Sequence, residues 1–208
     1  MKESSPISNN LSNNPILLVL SGPSGVGKDA ILNRMRERNL PVYHVTTLTT
    51  RQKRTGEKDK REYHFIPWEK FQDMIENNLL LEWAEVYGNL YGVPKEPIKR
   101  SLEQGQDVIV KVDIQGASTI KKLVPQVVTI FLIPPSMDEL LKRLTGRRTE
   151  SPADLDLRLK TAEDEMKQIS HFDYTVVNKA GEIDKAVSEI EAIITAEKGR
   201  ITRKKITL

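Results

Sequence analysis

Residues 22–29 read Gly-Pro-Ser-Gly-Val-Gly-Lys-Asp and follow directly on the apolar run of residues 16–20. Small residues at this spacing let successive backbone N–H groups turn inward around an anion, and a lysine closing the loop reaches the terminal phosphates. The next stretch carries Ile31, Leu32 and Met35 on one helical face, so the positive end of a helix would point at the same spot. A buried strand before and a helix after distinguish a phosphate-binding loop from an ordinary glycine-rich turn. The candidate loop comprises Gly22, Pro23, Ser24, Gly25, Val26, Gly27, Lys28 and Asp29. Asp29 is its unusual member. The pattern normally ends in Ser or Thr, whose hydroxyl meets a metal ion, whereas a carboxylate changes the local charge and can meet a cation directly or through water.

A second constellation begins at Thr46-Thr47-Leu48-Thr49-Thr50-Arg51 and continues through Arg54, Gly56, Glu57 and Tyr63. Two arginines three residues apart, followed by a tyrosine, suit a phosphate monoester, because each guanidinium offers paired donors and the phenol a further one. Taken alone, the same residues also suit a charged surface loop.

The elements that position these groups alternate. Strand-like runs at residues 16–20, 107–112, 127–133 and 174–177 are separated by helical patterns around 29–38, 95–104, 116–123, 137–145, 154–169 and 182–197. That alternation predicts an α/β fold with a parallel sheet covered by helices on both faces. Two stretches interrupt it. Residues 47–93, rich in Thr, Arg, Lys and aromatics, read as an inserted substrate module, and the Arg-rich break at 146–153 has the composition of a mobile lid. Residues 1–14, with Ser, Asn and Pro, are expected to be disordered.

The chain of 208 residues supports one substantial core and contains no cysteine, which excludes disulfides and thiolate metal sites; three histidines make a zinc centre a poor fit. No apolar stretch approaches membrane-spanning length and no signal pattern opens the chain, so a cytoplasmic protein without a membrane partner is expected. The net charge of +3 is concentrated at one end: Lys198, Arg200, Arg203, Lys204 and Lys205 leave 27 basic against 29 acidic residues elsewhere. Residues 198–208 therefore read as a solvated basic tail rather than a nucleic-acid arm.

Together these residues resemble the guanylate kinase family, a group of P-loop nucleoside monophosphate kinases, over about residues 15–197. The matching pieces are Gly-Pro-Ser-Gly-Val-Gly-Lys at 22–28, Thr-Thr-Arg-x-x-Arg-x-Gly-Glu at 49–57 and Tyr63-His64-Phe65. Further on come Leu81-Glu82-Trp83-Ala84, Gly88-Asn89-x-Tyr91-Gly92, Val112-Asp113-Ile114-Gln115-Gly116-Ala117 and residues 131–136. Arg143-Leu144-x-Gly146-Arg147-x-Thr149-Glu150 and Arg158-Leu159 complete the series.

The resemblance implies an enzyme of purine nucleotide metabolism that moves the γ-phosphoryl of ATP to GMP with Mg²⁺, as a monomer or homodimer. It implies a core of residues 15–46, 94–135 and 171–197, a GMP-binding subdomain at 47–93 and a helical lid at 136–170. Lys28 and the loop amides would hold ATP, while Arg51, Arg54, Tyr63 and Tyr91 would clamp the GMP phosphate. Glu82 would accept from guanine N1–H and the 2-amino group, a pairing that adenine cannot supply. Thr47 would face guanine O6, with Asp113 near the nucleoside. Arg147 and Arg158 would close over the transferring phosphoryl with Lys28. Trp83 and Phe65 are expected in the core rather than as stacking platforms.

Four positions depart from the family pattern: Asp29 for Ser or Thr, Lys111 for an acid at the end of the central strand, Val93 for a hydroxyl residue, and Leu48 for a small one. Asp29 and Lys111 read as exchanged partners and are expected to form an ion pair beneath the loop. Two other readings compete. A binding domain of this family that has lost catalysis would lack the loop lysine and the lid arginines, and a P-loop kinase for another acceptor would lack Glu82 and the tyrosines.

Overall fold

The computed structural model describes residues 14–53, 57–59, 61, 63–86, 88–145, 160–201 and 205–208. Its strands are β1 (Leu17–Ser21), β2 (Val42–His44), β3 (Leu48–Thr49), β4 (His64–Phe65), β5 (Leu80–Val86), β6 (Asn89–Pro94), β7 (Asp107–Lys111), β8 (Val128–Ile133) and β9 (Tyr174–Val177). Its helices are α1 (Lys28–Glu37), α2 (Trp68–Glu76), α3 (Lys95–Glu103), α4 (Ile114–Leu123), α5 (Met137–Thr145) and α6 (Ile183–Lys198), and residues 160–166 are also helical.

Five strands form one sheet in the order β2-β7-β1-β8-β9, with every neighbouring pair parallel. Strand β1 runs through its middle and is fully buried, which is why it reads as a continuous apolar run. Alternate residues serve opposite faces. Leu18 and Leu20 pack with Ile31 and Met35 of α1 and Ile190 of α6, whereas Leu17 and Val19 pack with Ile98 of α3 and Ala117 and Ile120 of α4. The expected covered α/β sheet is formed, and the described element ends fall within two residues of the sequence reading, save that the helix expected to end at 169 ends at 166. Strand β2 has no such announcement in the sequence; it is an edge strand of three residues, too short for a recognisable run.

A second sheet, in the order β4-β3-β6-β5, lies within the stretch that breaks the alternation. Strands β5 and β6 form an antiparallel pair, β3 pairs antiparallel with β6, and β3 pairs parallel with β4. Leu48, Ile66, Phe71, Leu80 and Leu90 give this sheet its own small core. Two departures from the family pattern are accounted for here by packing: Leu48 fills this core, and Val93 fills the core beneath the main sheet.

Two expectations need correction. Trp83 is 47 % exposed and is not a core residue. An irregularity in register between Leu80 and Glu82 lets both Leu81 and Glu82 point inward, which sends Trp83 to solvent. Phe65 is half-buried. The second correction concerns the basic end. Lys198 is the last residue of α6, and its ammonium lies 2.8 Å from buried Asp107, whose other carboxylate oxygen accepts from the Ile16 N–H at 2.9 Å. Arg200 pairs with Glu197 at 3.0 Å, and Ile206 packs on the main core. A buried carboxylate at the start of β7 requires a counter-charge, and the first of the tail cations supplies it. Residues 1–13, Arg54, Arg147, Arg158 and the helical pattern at 154–159 lie outside the described residues.

Candidate active site

At the end of β1 the chain turns through Gly22 at φ +139°, where a side chain would put its Cβ 2.4 Å from the Leu132 carbonyl oxygen. Only glycine can make that turn. The following loop is fastened from outside. The Val26 carbonyl accepts from the Arg143 guanidinium at 2.9 Å and from the Asn178 side-chain amide at 2.8 Å, and Arg143 also donates to the Asn178 carbonyl at 2.6 Å. Helix α5 and the end of β9 thereby hold the loop in place. Lys28 curls back within it, donating to the Gly22 carbonyl at 2.5 Å and the Pro23 carbonyl at 3.2 Å. Burial, the largest influence, lowers its ammonium to about 8; Glu165 opposes that shift and Lys111 reinforces it.

A carboxylate lies against the loop. The Ser24 N–H donates to Glu165 Oε2 at 3.2 Å, from the helical residues 160–166. Burial raises the Glu165 carboxyl, while Ser24 and Lys28 draw it back. The first turn of α1 carries the expected pair: Lys111 Nζ is 2.6 Å from Asp29 Oδ1. The same ammonium lies 3.2 Å from the Tyr63 hydroxyl and 4.3 Å from the centre of its ring.

The aromatic groups beyond it form one cluster with Arg51. Its guanidinium sits 5.6 Å from the ring centres of both Tyr63 and Phe65, and Tyr63 meets Tyr91 edge-on at 5.7 Å. Glu57 holds Arg51 at 2.8 Å. Burial alone would lower the Arg51 guanidinium, but Glu57 and Tyr91 outweigh it and raise it.

Glu82 lies against the first turn of α4. It is 8 % exposed and takes no hydrogen bond from any described residue. Burial first, and Asp113 second, raise its carboxyl to about 7. Gly116 makes room for it, since a Cβ there would lie 2.9 Å from the carboxyl carbon. Asp113 caps α4 by accepting from the Gly116 N–H at 2.7 Å. Buried Thr47 donates to the Lys111 carbonyl at 3.3 Å, linking the two sheets behind the site.

The site thus combines a phosphate loop, a cationic aromatic cluster and a buried carboxylate that takes no donor from a described residue. Of the residues singled out in the sequence, Lys28 and Asp29 belong to the phosphate loop and the first turn of α1, Arg51, Tyr63 and Tyr91 to the aromatic cluster, and Glu82 and Asp113 to the start of α4, where Asp113 also acts on Lys28. Glu57, Glu165, Arg143 and Asn178 were not singled out as site residues. Arg143 had one local signal, its ion pair with Glu139 one helical turn away. Glu165 and Asn178 had none.

The chain is similar to known proteins. A family model described as guanylate kinase matches residues 14–197. The chain is 43 % identical to a guanylate kinase of Clostridioides difficile, covering 91 % of this chain and 92 % of the relative. The chain belongs to the guanylate kinase family. It is also 43 % identical to "Guanylate kinase 2, chloroplastic/mitochondrial" of Oryza sativa subsp. japonica, over 93 % of this chain and 68 % of that one. A crystal structure of guanylate kinase from Anaplasma phagocytophilum superposes with a TM-score of 0.76 at 32 % identity, covering 92 % of this chain and 90 % of that one. The fold is accordingly that of a P-loop nucleotide kinase, and the enzyme transfers phosphoryl groups from ATP to GMP, in a family whose chemistry uses a divalent metal ion. No finding favours a binding domain that has lost catalysis. Among the described residues no helix is long and apolar enough to cross a membrane.

Proposed function

We propose that this guanylate kinase uses Mg²⁺, acts in the cytoplasm in purine nucleotide metabolism, and divides its reaction among the residues described above. The phosphate loop with Lys28 binds the ATP phosphates. Arg51, Arg54, Tyr63 and Tyr91 hold the GMP phosphate, and Glu82, Thr47 and Asp113 read the guanine. Arg147 and Arg158 cover the transferring phosphoryl group, which is donated almost wholly by positioning and charge stabilisation. The stretches 47–93 and 136–170 close on the core when both nucleotides are bound, excluding water from that group.

Among the described residues no cluster of three or more carboxylates and histidines could hold a metal. That suits Mg²⁺, which keeps several waters and is bound through one or two carboxylates plus substrate phosphates. Asp29, beside Lys28 and 61 % exposed, is the carboxylate that would hold it, directly or through water. When bound, the ion would supply charge neutralisation for the phosphates.

The observation that carries the acceptor assignment is Glu82. A carboxylate that is buried, raised to about 7 and without a donor is unfavourable until a ligand brings one. Guanine brings two adjacent donors; adenine presents none at that edge, and would leave the carboxylate unpaired. A coupled assay with ATP against GMP, dGMP, AMP, CMP and UMP tests this. Turnover of GMP and dGMP with poor use of AMP is expected. Equal use of AMP and GMP would remove Glu82 from its role.

A further inference from the structure

Lys111 ends the strand beside β1, and its side chain is about nine-tenths buried. Its ammonium touches both halves of the site: Asp29 in the first turn of α1 at 2.6 Å, and the Tyr63 hydroxyl of the aromatic cluster at 3.2 Å. An ammonium has three N–H donors. Asp29 and Tyr63 take two, and no other described residue takes the third. A buried cation with an unused donor, next to a tyrosine in a phosphate site, has a role that an ion pair alone does not account for.

We infer that Lys111 is a further ligand of the acceptor's 5′-phosphate, with Asp29 as the counter-ion that occupies it in the empty enzyme. This rests on the proposed assignment of Tyr63 and Arg51 to that phosphate. An oxygen hydrogen-bonded to the Tyr63 hydroxyl lies about 2.7 Å from it. Lys111 Nζ is already 3.2 Å from that hydroxyl, so rotation about the last bonds of its flexible stem reaches the same oxygen without backbone movement. The two partners of the ion pair are unequal. Asp29 is 61 % exposed and free to turn toward solvent or a metal ion, whereas Lys111 is confined. The carboxylate is therefore the partner that leaves, and its departure gives the lysine a second donor for the phosphate. Lys111 and Asp29 then have opposite effects on acceptor binding. A pair that merely fastened α1 to the sheet would give effects of the same sign.

The test compares dissociation constants for GMP and for guanosine, measured by NMR titration of the full chain without ATP. The guanosine constant divided by the GMP constant isolates the contribution of the phosphate. Relative to the wild type, Lys111→Met is expected to lower the ratio about ten- to a hundredfold, the range for a hydrogen bond to a charged group. Lys111→Arg recovers most of it, and Asp29→Asn raises it severalfold, with guanosine affinity unchanged throughout. An unchanged ratio in Lys111→Met overturns the inference. Where that variant does not fold, an unchanged or lowered ratio in Asp29→Asn overturns it equally. A wild-type ratio near one removes the acceptor-phosphate assignment and this inference with it. A large wild-type ratio that survives in Lys111→Met removes Lys111 alone.

Discussion

Replacing Glu82 with Gln should stabilise the empty enzyme, and do so only at neutral and alkaline pH. The ordinary value for this carboxyl is 4.5, and in the folded chain it is raised to about 7. Between those values the unfolded chain has released a proton that the folded chain still holds. Stability therefore falls as pH rises from 4.5 to 7, and the deficit is complete above 7. A displacement of that size corresponds to about 3 kcal/mol. Gln keeps the shape and the buried polar atoms but removes the charge, so it escapes this pH-dependent part. The measurement is urea unfolding of parent and variant, without nucleotide, at pH 4.5 and pH 8. Other titrating groups are common to both proteins and cancel in the difference. The variant should gain about 3 kcal/mol on the parent between the two conditions. GMP should close most of that gap at pH 8, because guanine donors pair with the parent's carboxylate. At about a hundred times its dissociation constant the ligand adds about 2.7 kcal/mol to the parent and far less to the variant. A stability difference that does not change with pH would refute the burial of an ionisable Glu82.

Two further outcomes follow from close contacts. Gly116→Ala places a methyl group 2.9 Å from the Glu82 carboxyl. It should raise the KM for GMP at least tenfold while the KM for ATP holds, and kinetics with each substrate varied in turn will show it. Glu165→Gln removes the negative charge lying against the Ser24 N–H of the phosphate loop. Binding of a non-hydrolysable ATP analogue, measured by calorimetry, should tighten severalfold; weaker binding would mean that Glu165 supports the nucleotide rather than standing in its place.

The parts of this site that were legible in the sequence are those whose chemistry is local. The phosphate loop announces itself because glycine spacing and backbone geometry are bound together, as the turn at Gly22 shows. The pairing of Asp29 with Lys111 was legible because each charge is anomalous at its own position and needs the other. What stayed hidden depends on approach from distant chain. Glu165 reaches Ser24 across 141 residues and Asn178 reaches Val26 across 152, and neither contact leaves a local pattern. Trp83 was misjudged because one irregularity in register re-aims every side chain after it, and residue types near it do not reveal where that shift occurs.

The fastening of the Val26 carbonyl has a consequence for the order in which the enzyme becomes competent. The phosphate loop leaves the ribosome well before the side chains that hold it, which belong to residues 143 and 178. At about 5–20 residues per second, the loop must wait several seconds for its own supports. During that time the nascent chain has a lysine, glycines and a helix start but no rigid cradle. The phosphate loop is thus made before the parts that let it bind.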